Sequence, residues 1–317
     1  MNSKKRTKNK KEKIKQVKSR VKLSNVKSNY ILKKIFNNLQ ETKYFKLIKH
    51  NKNVQKRLNI SIKDYIELFS DIEIEIKPNF AIQGNYINIP EKDRKYYQIY
   101  IIENKKEEQT YNYTLRYNSK KIKINIKHQV RSLSSLFQNC KCIESVNFIK
   151  FNRRTIKNMS HMFFGCSSLK KICFSYFNTS NVIDMQGMFK GCSSLKEINL
   201  SNFNTSNVSC MKCMFEGCSS LKELDISNFH IKKILDCSYM FYGCSSLQTI
   251  SLPNFENNKI NNMKGLFSGC FSLSKMNNYS FHINNNTKMN SMLYNCSDSI
   301  IEAIQERNTH FKEEAFY

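Results

Sequence analysis

Cysteine is the residue whose number and spacing in this chain invite chemistry. Twelve occur. Cys210 and Cys213 form a CxxC pair with Cys218 close behind, and Cys140 and Cys142 form a CxC pair. Two such pairs hold structural zinc when all four thiolates converge. Here 70 positions separate Cys140 from Cys210, which argues against a shared ion. A redox CxxC works inside a βαβ unit, and none surrounds Cys210. His161, His230 and His282 fall at unrelated places, so no Ser/His/Asp or Cys/His arrangement can be assembled. Neither GxGxxG nor GxxxxGK[ST] is present to cradle phosphate. The sequence therefore predicts no catalytic residue, no metal site and no cofactor, and hence a protein that is not an enzyme.

What the cysteines do mark is register. Cys140, Cys166, Cys192, Cys218, Cys244, Cys270 and Cys296 stand 26 residues apart in unbroken series. A period of about 20–50 residues is the mark of stacked structural repeats. Register thiols in adjacent layers would lie about 5 Å apart, yet seven is an odd number and no secretory signal precedes them. A ladder of buried, unoxidised thiols is expected.

Other positions repeat with the cysteines. Three places on come Ile143, Leu169, Leu195, Leu221, Leu247 and Leu273; six places on come Val146, Ile172, Ile198, Leu224, Ile250 and Met276. Phe148, Phe174, Leu200, Ile226 and Leu252 follow at the eighth place, and an aromatic rung then runs through Phe151, Phe177, Phe203, Phe229, Phe255 and Phe281. The two-residue step from Ile198 to Leu200 predicts a short strand with both inward. After the polar NTSNV of residues 178–182 and 204–208, the steps of three and four in Val182, Met185, Met188, Phe189 and Cys192 predict a helical turn. Gly165, Gly191, Gly217, Gly243 and Gly269 precede register cysteines, where the chain must reverse; Asn139 and Asn295 replace them in the outer units. One unit cannot bury enough to fold alone, so the array folds only as an array.

The phrases NMSHMFFGCSSLKKI, DMQGMFKGCSSLKEINLSNFNTSNV and SYMFYGCSSLQTISL resemble the BspA-like leucine-rich repeat family over residues 131–296. The resemblance implies a leucine-rich-repeat-like solenoid and a surface or adhesion role. Phe174 and Cys173 depart from the family's usual strand, and Asn284 to Asn286 degrade the last turn. Residues 30–58 resemble an F-box-like helical module, which would link a substrate adaptor to a ubiquitin ligase, though its Leu-Pro start and tryptophan are missing.

Outside the repeats, residues 1–29 carry 12 Lys/Arg against Glu12, or +11 of a total of +27. Such a tail is too polar to bury itself and is expected to be disordered. It offers nucleic acid or an acidic membrane a partner surface, although the enrichment of Lys, Asn, Ile, Tyr and Phe is also what an AT-rich genome would give. Residues 30–70, with apolar steps through Ile31, Leu32, Ile35, Phe36 and Leu39 and on to Tyr65, Ile66 and Phe69, predict a helical head. Alternating runs at 72–77, 96–102 and 121–127 predict a small β capping region over 71–130. Residues 297–317, with Ile300, Ile301, Ile304 and Phe311, predict a terminal capping helix.

The expected fold class is thus an α/β repeat solenoid, one short parallel strand and one helical turn per 26-residue unit, with an α-helical amino-terminal head and a small β cap. No apolar run of about 18 residues and no signal peptide is visible, which points to cytoplasm or nucleus, while the family resemblance points to the cell surface. Side chains alternating with the core positions form the candidate protein-binding face: Lys171, Cys173, Ser175, Glu197, Asn199, Ser201, Glu223, Asp225, Ser227, Thr249 and Ser251. A protein ligand on that face is the leading reading. An adaptor built on the F-box-like head, and an adhesin exported without a recognisable signal, are the alternatives; ligand identity and oligomeric state stay open.

Overall fold

The computed structural model describes residues 26–31, 51–59, 70–79, 81–115, 121–175, 177–255, 259–278, 281, 286–307, 311 and 313–317. The chain divides into two compact units, Met1–Phe69 and Ser70–Tyr317. In the first, helix α1 spans Lys52–Leu58. The Asn51 side chain accepts a bond from Val54 N at 3.1 Å and so caps its start, and Asn59 closes it with φ 52°. Arg57 on this helix donates to the carbonyls of Val26 and Lys27. Most of the apolar stripe expected between 30 and 70 lies outside the described residues, as do residues 1–25 of the basic tail.

The second unit begins with an antiparallel sheet. β1 (Ile72–Pro78) alternates buried Ile72, Ile74 and Ile76 with Glu73, Glu75 and Lys77 on the wet face. It pairs with β6 (Lys121–Ile126), which pairs with β3 (Tyr97–Glu103) and through it with β4 (Lys106–Thr110). On its other side β1 pairs with β7 (Ile143–Lys150), the strand of the first repeat. Ion pairs Lys77–Glu144 (2.9 Å) and Glu75–Lys121 run across the exposed face. The small sheet thereby covers the open edge of the first repeat, which would otherwise template aggregation. A separate pair, β2 (Gly84–Asn85) and β5 (Thr114–Leu115), lies beside it in sequence.

Buried Arg153 joins this sheet to the repeats. Its guanidinium donates to Ser70 O (3.1 Å), Val130 O (3.0 Å) and Ile126 O (2.6 Å), carbonyls just before β1, just after β6 and at the last residue of β6.

From Ser132 onward, each 26-residue unit makes a parallel bridge to the next: Ser132, Asn158, Asp184, Cys210, Asp236, Asn262 and Lys288. The turns that follow have a two-beat hydrogen-bond pattern. Met162 N and Phe164 N bond back to Met159 O and His161 O within the unit, while His161 N, Phe163 N and Gly165 N reach Gln186, Met188 and Lys190 carbonyls of the next. Every second amide thus serves stacking, and the backbone is satisfied without a helix.

That pattern overturns the expected fold class. The regular elements among the described residues are mostly strands, in one mixed six-stranded sheet, one three-stranded parallel sheet and one antiparallel pair, with few helices. A helical head is not seen: the described part holds only α1. No helical turn recurs in the units, because each turn carries two residues at positive φ. One is the residue before the register cysteine (Gly191, 73°), as the glycine spacing implied; the other lies four earlier (His161, 55°; Tyr239, 56°). A left-handed residue every few positions stops α-helical propagation. Nor does every unit own a strand. β8 (Lys171–Cys173), β9 (Glu223–Asp225), β10 (Thr249–Ser251) and β11 (Lys275–Met276) are present, but the stretch around Ile198 and Leu200 has none.

The interior is built from two stacked columns. Phe137, Phe163, Phe189, Phe215, Phe241 and Phe267 lie with neighbouring ring centres 5.2–5.9 Å apart. Beside them the register thiols from Cys166 to Cys296 donate to the phenylalanine carbonyl of the preceding unit, as Cys166 Sγ to Phe137 O (2.9 Å) and Cys218 Sγ to Phe189 O (3.2 Å), while Cys140 turns to Gln138 O. At the far end, α2 (Asp298–Arg307) packs Ile300 and Ile304 inward, and the short 3₁₀ turn Glu313–Ala315 replaces a missing further unit by accepting from Ser291 N (2.6 Å) and Leu293 N (2.8 Å).

Candidate functional site

The faces assigned to the predicted strand residues converge on one groove of about 770 Å³. β8, residues 197–199, β9 and β10 supply its walls, and all the candidate residues line it except Ser201 and Ser227. Lys171 stands at one side; Glu197, Glu223 and Asp225 follow across the units; Thr249 and Ser251 close the other side. Cys173 Sγ lies 3.0 Å from Ser175 Oγ. The floor is made by Ile172, Phe174, Ile198 and Leu224.

Short local bonds fix the rim. Asp225 Oδ1 accepts from Ser227 N (2.9 Å) and Ser227 Oγ (2.7 Å), and Asn199 Oδ1 accepts from Ser201 N (2.9 Å). These bonds explain where the two excluded serines went: they brace the acidic and amide side chains from outside the groove. The backbone amide of Ser227, then its hydroxyl, holds the Asp225 carboxyl below its ordinary range. Asn202, just past the predicted alternation, also lines the groove; its loop position gave sequence reasoning no period to find it by. The floor residues were read as plain core because their spacing is that of the core.

The other candidates are not gathered into a site. Among the described residues, no group of three or more His, Cys, Asp or Glu could hold a metal ion, and every cysteine is a free thiol. Burial raises the thiols of Cys142 to about 11 and of Cys213, Cys244 and Cys296 to about 12. Such groups stay protonated and make poor nucleophiles. Cys142 donates instead to Asn85 O at 3.2 Å. His161 covers Gly187, His230 is exposed, and His282 lies outside the described residues. Thr179 in the NTSNV stretch is buried, accepting from Asn204 N (2.7 Å) and donating to Asn204 O (3.0 Å) of the next unit. Among the described residues no helix is long and apolar enough to cross a membrane.

Fold and groove together define a repeat protein that presents a polar, unit-to-unit variable surface over a repeated core. Two stretches, residues 131–250 and 216–312, match the model of the family described as "Mycoplasma protein of unknown function, DUF285". The match spans more than half of the chain, and the chain belongs to that family. It supports a repeat-family resemblance and names neither BspA-like proteins nor an F-box. No curated protein and no solved structure matches significantly.

Proposed function

We propose that this chain is a non-enzymatic interaction protein that holds a protein ligand in the groove formed by β8, residues 197–199, β9 and β10. The observation that carries the reading is the contrast within the repeats. Inward places such as Leu169, Leu195, Leu221 and Leu247 keep one chemistry and are buried, while the groove places run Lys171, Glu197, Glu223, Thr249. A surface that changes from unit to unit over an interior that does not is how repeat proteins present a specific binding face. The likeness of the repeats to BspA-like adhesion proteins favours a protein ligand as well. The F-box-like adaptor reading falls on residues 30–58, most of which lie outside the described residues, and no observation favours it.

The test compares proteins captured by the full chain and by its groove variants Lys171→Glu and Thr249→Lys, from cells that make this protein. An exposed residue outside the groove, Lys232→Glu, serves as control. A defined protein lost with both groove variants and kept with the control supports the reading. Identical capture by all four chains contradicts it, provided their circular dichroism melts coincide.

A further inference from the structure

The sheet face of the repeats is interrupted in one place. β8 ends the six-stranded sheet and β9 ends the three-stranded one. Residues 196–199 come between them in the order of the units, and among the described residues no backbone hydrogen bond ties them to either strand. Equivalent bonds exist elsewhere: Lys170 N reaches Glu144 O at 2.8 Å, and Gln248 N reaches Lys222 O at 2.8 Å. On the turn side the same three units remain joined, by the bridges Asn158 to Asp184 and Asp184 to Cys210. The stack is closed along its turns and lacks backbone bonds along its strands at residues 196–199, with Ser193 Oγ to Ser167 O (3.4 Å) and Asn228 Nδ2 to Leu200 O (3.3 Å) joining the units on either side of that segment. Ile198 registers the opening, being only partly buried where Ile172, Leu224 and Ile250 are buried.

A strand edge with unpaired N–H and C=O groups accepts a further strand, the backbone giving affinity and the side chains beside it giving choice. Among the residues lining the groove here, three carboxylates, Glu197, Glu223 and Asp225, stand against one cation, Lys171, with Lys196 and Lys222 exposed beside them. On a chain of net charge +27 the groove lining is a local reversal of sign. We infer that the interruption receives an extended segment of a partner protein bearing lysine or arginine, its backbone pairing with the open edges and its cations facing the three carboxylates. The inference rests on the groove being a protein-binding site and adds the chemistry of the partner. The bonds from Ser227 hold the Asp225 carboxyl below its ordinary range and so favour its charged form.

The probe is a fluorescein-labelled decapeptide of alternating lysine and threonine, titrated into the full chain and followed by anisotropy. Three changes should each weaken binding by about tenfold or more: glutamate in place of the peptide's lysines, N-methylation of its alternate amides, and Glu197→Lys with Glu223→Lys in the protein. Amide exchange at residues 196–199 should slow when the peptide is bound. Equal binding of the lysine and glutamate peptides, or indifference to N-methylation, overturns the inference. So does failure of the peptide to bind. If native capture still depends on Lys171 and Thr249 in that case, only the basic-strand inference falls; if it does not, the binding site falls with it.

Discussion

The ring of Tyr239 occupies the space a side chain would need at Gly265, one unit on: a Cβ there would sit 2.6 Å from both Cδ1 and Cε1. Gly265 also holds φ at +58°. His161 does the same over Gly187, where a Cβ would lie 2.6 Å from Nδ1. At these two places a ring thus fills the space left by a glycine one unit on. Gly265→Ala should destabilise by about 1–3 kcal/mol through clash and left-handed strain. Adding Tyr239→Ala should recover the clash and leave about 1 kcal/mol. Melts of the two single variants and the double would measure this, and additive losses would refute the contact.

Cys218 is fully buried, its thiol donating to Phe189 O at 3.2 Å, and burial raises its pKa well above the ordinary thiol value. Alanine would remove the bond and leave a void, at a cost of about 1–2 kcal/mol. In the native protein iodoacetamide at pH 8 should leave Cys218 unmodified, whereas denaturant should expose all twelve thiols. Rapid native labelling of Cys218, read by mass spectrometry, would show that the ladder of thiols is not interior.

Arg153 serves three carbonyls from a buried position. Arg153→Met should strand them and cost about 3–5 kcal/mol in urea unfolding, with Arg153→Lys losing less because some donors remain. A loss under about 1 kcal/mol for the methionine variant would mean those carbonyls have other partners.

The register of the units could be read directly from the cysteines and the glycines before them, because only a few residues tolerate the left-handed corner. The turns were misread. Val182, Met185, Met188, Phe189 and Cys192 have helical steps, yet successive hydrogen-bonded turns with Gly187 and Gly191 left-handed bury the same set. His161, Cys213 and Tyr239 take that conformation without being glycine, so no residue type announces it. The groove was legible as a set of residues through strand alternation, and Arg153 was not, since a buried arginine looks like any other cation in sequence. Residues 195–200, LKEINL, whose two-residue step from Ile198 to Leu200 predicted a strand, have none. The gap coincides with a step in size: Phe148 and Phe174 stack at 5.5 Å, and the next unit offers Leu200 in that column.

Glu144 joins the first repeat to β1 through Lys77 (2.9 Å) and to the second repeat through Lys170 (3.1 Å). Bonds from Lys77 and then Lys170 lower its pKa below the ordinary glutamate value. A depressed carboxylate pKa stabilises the fold above the unfolded value of about 4.3, and that gain is lost as pH falls through the folded pKa. Wild type should exceed Glu144→Gln at pH 7 by less than about 1 kcal/mol, as the pairs are exposed. The two should converge in acid below the ordinary range. A difference that does not change with pH would remove the ion pairs as its cause.

Residue-resolved amide hydrogen exchange on the full chain tests the stacked, interrupted array most directly. Slow exchange is predicted at Phe163, Phe189, Phe215 and Phe241, whose amides bond to the next unit, with fast exchange at residues 196–199. Protection at 196–199 equal to that of β9 and β10 would mean a closed sheet, and the interruption would not exist.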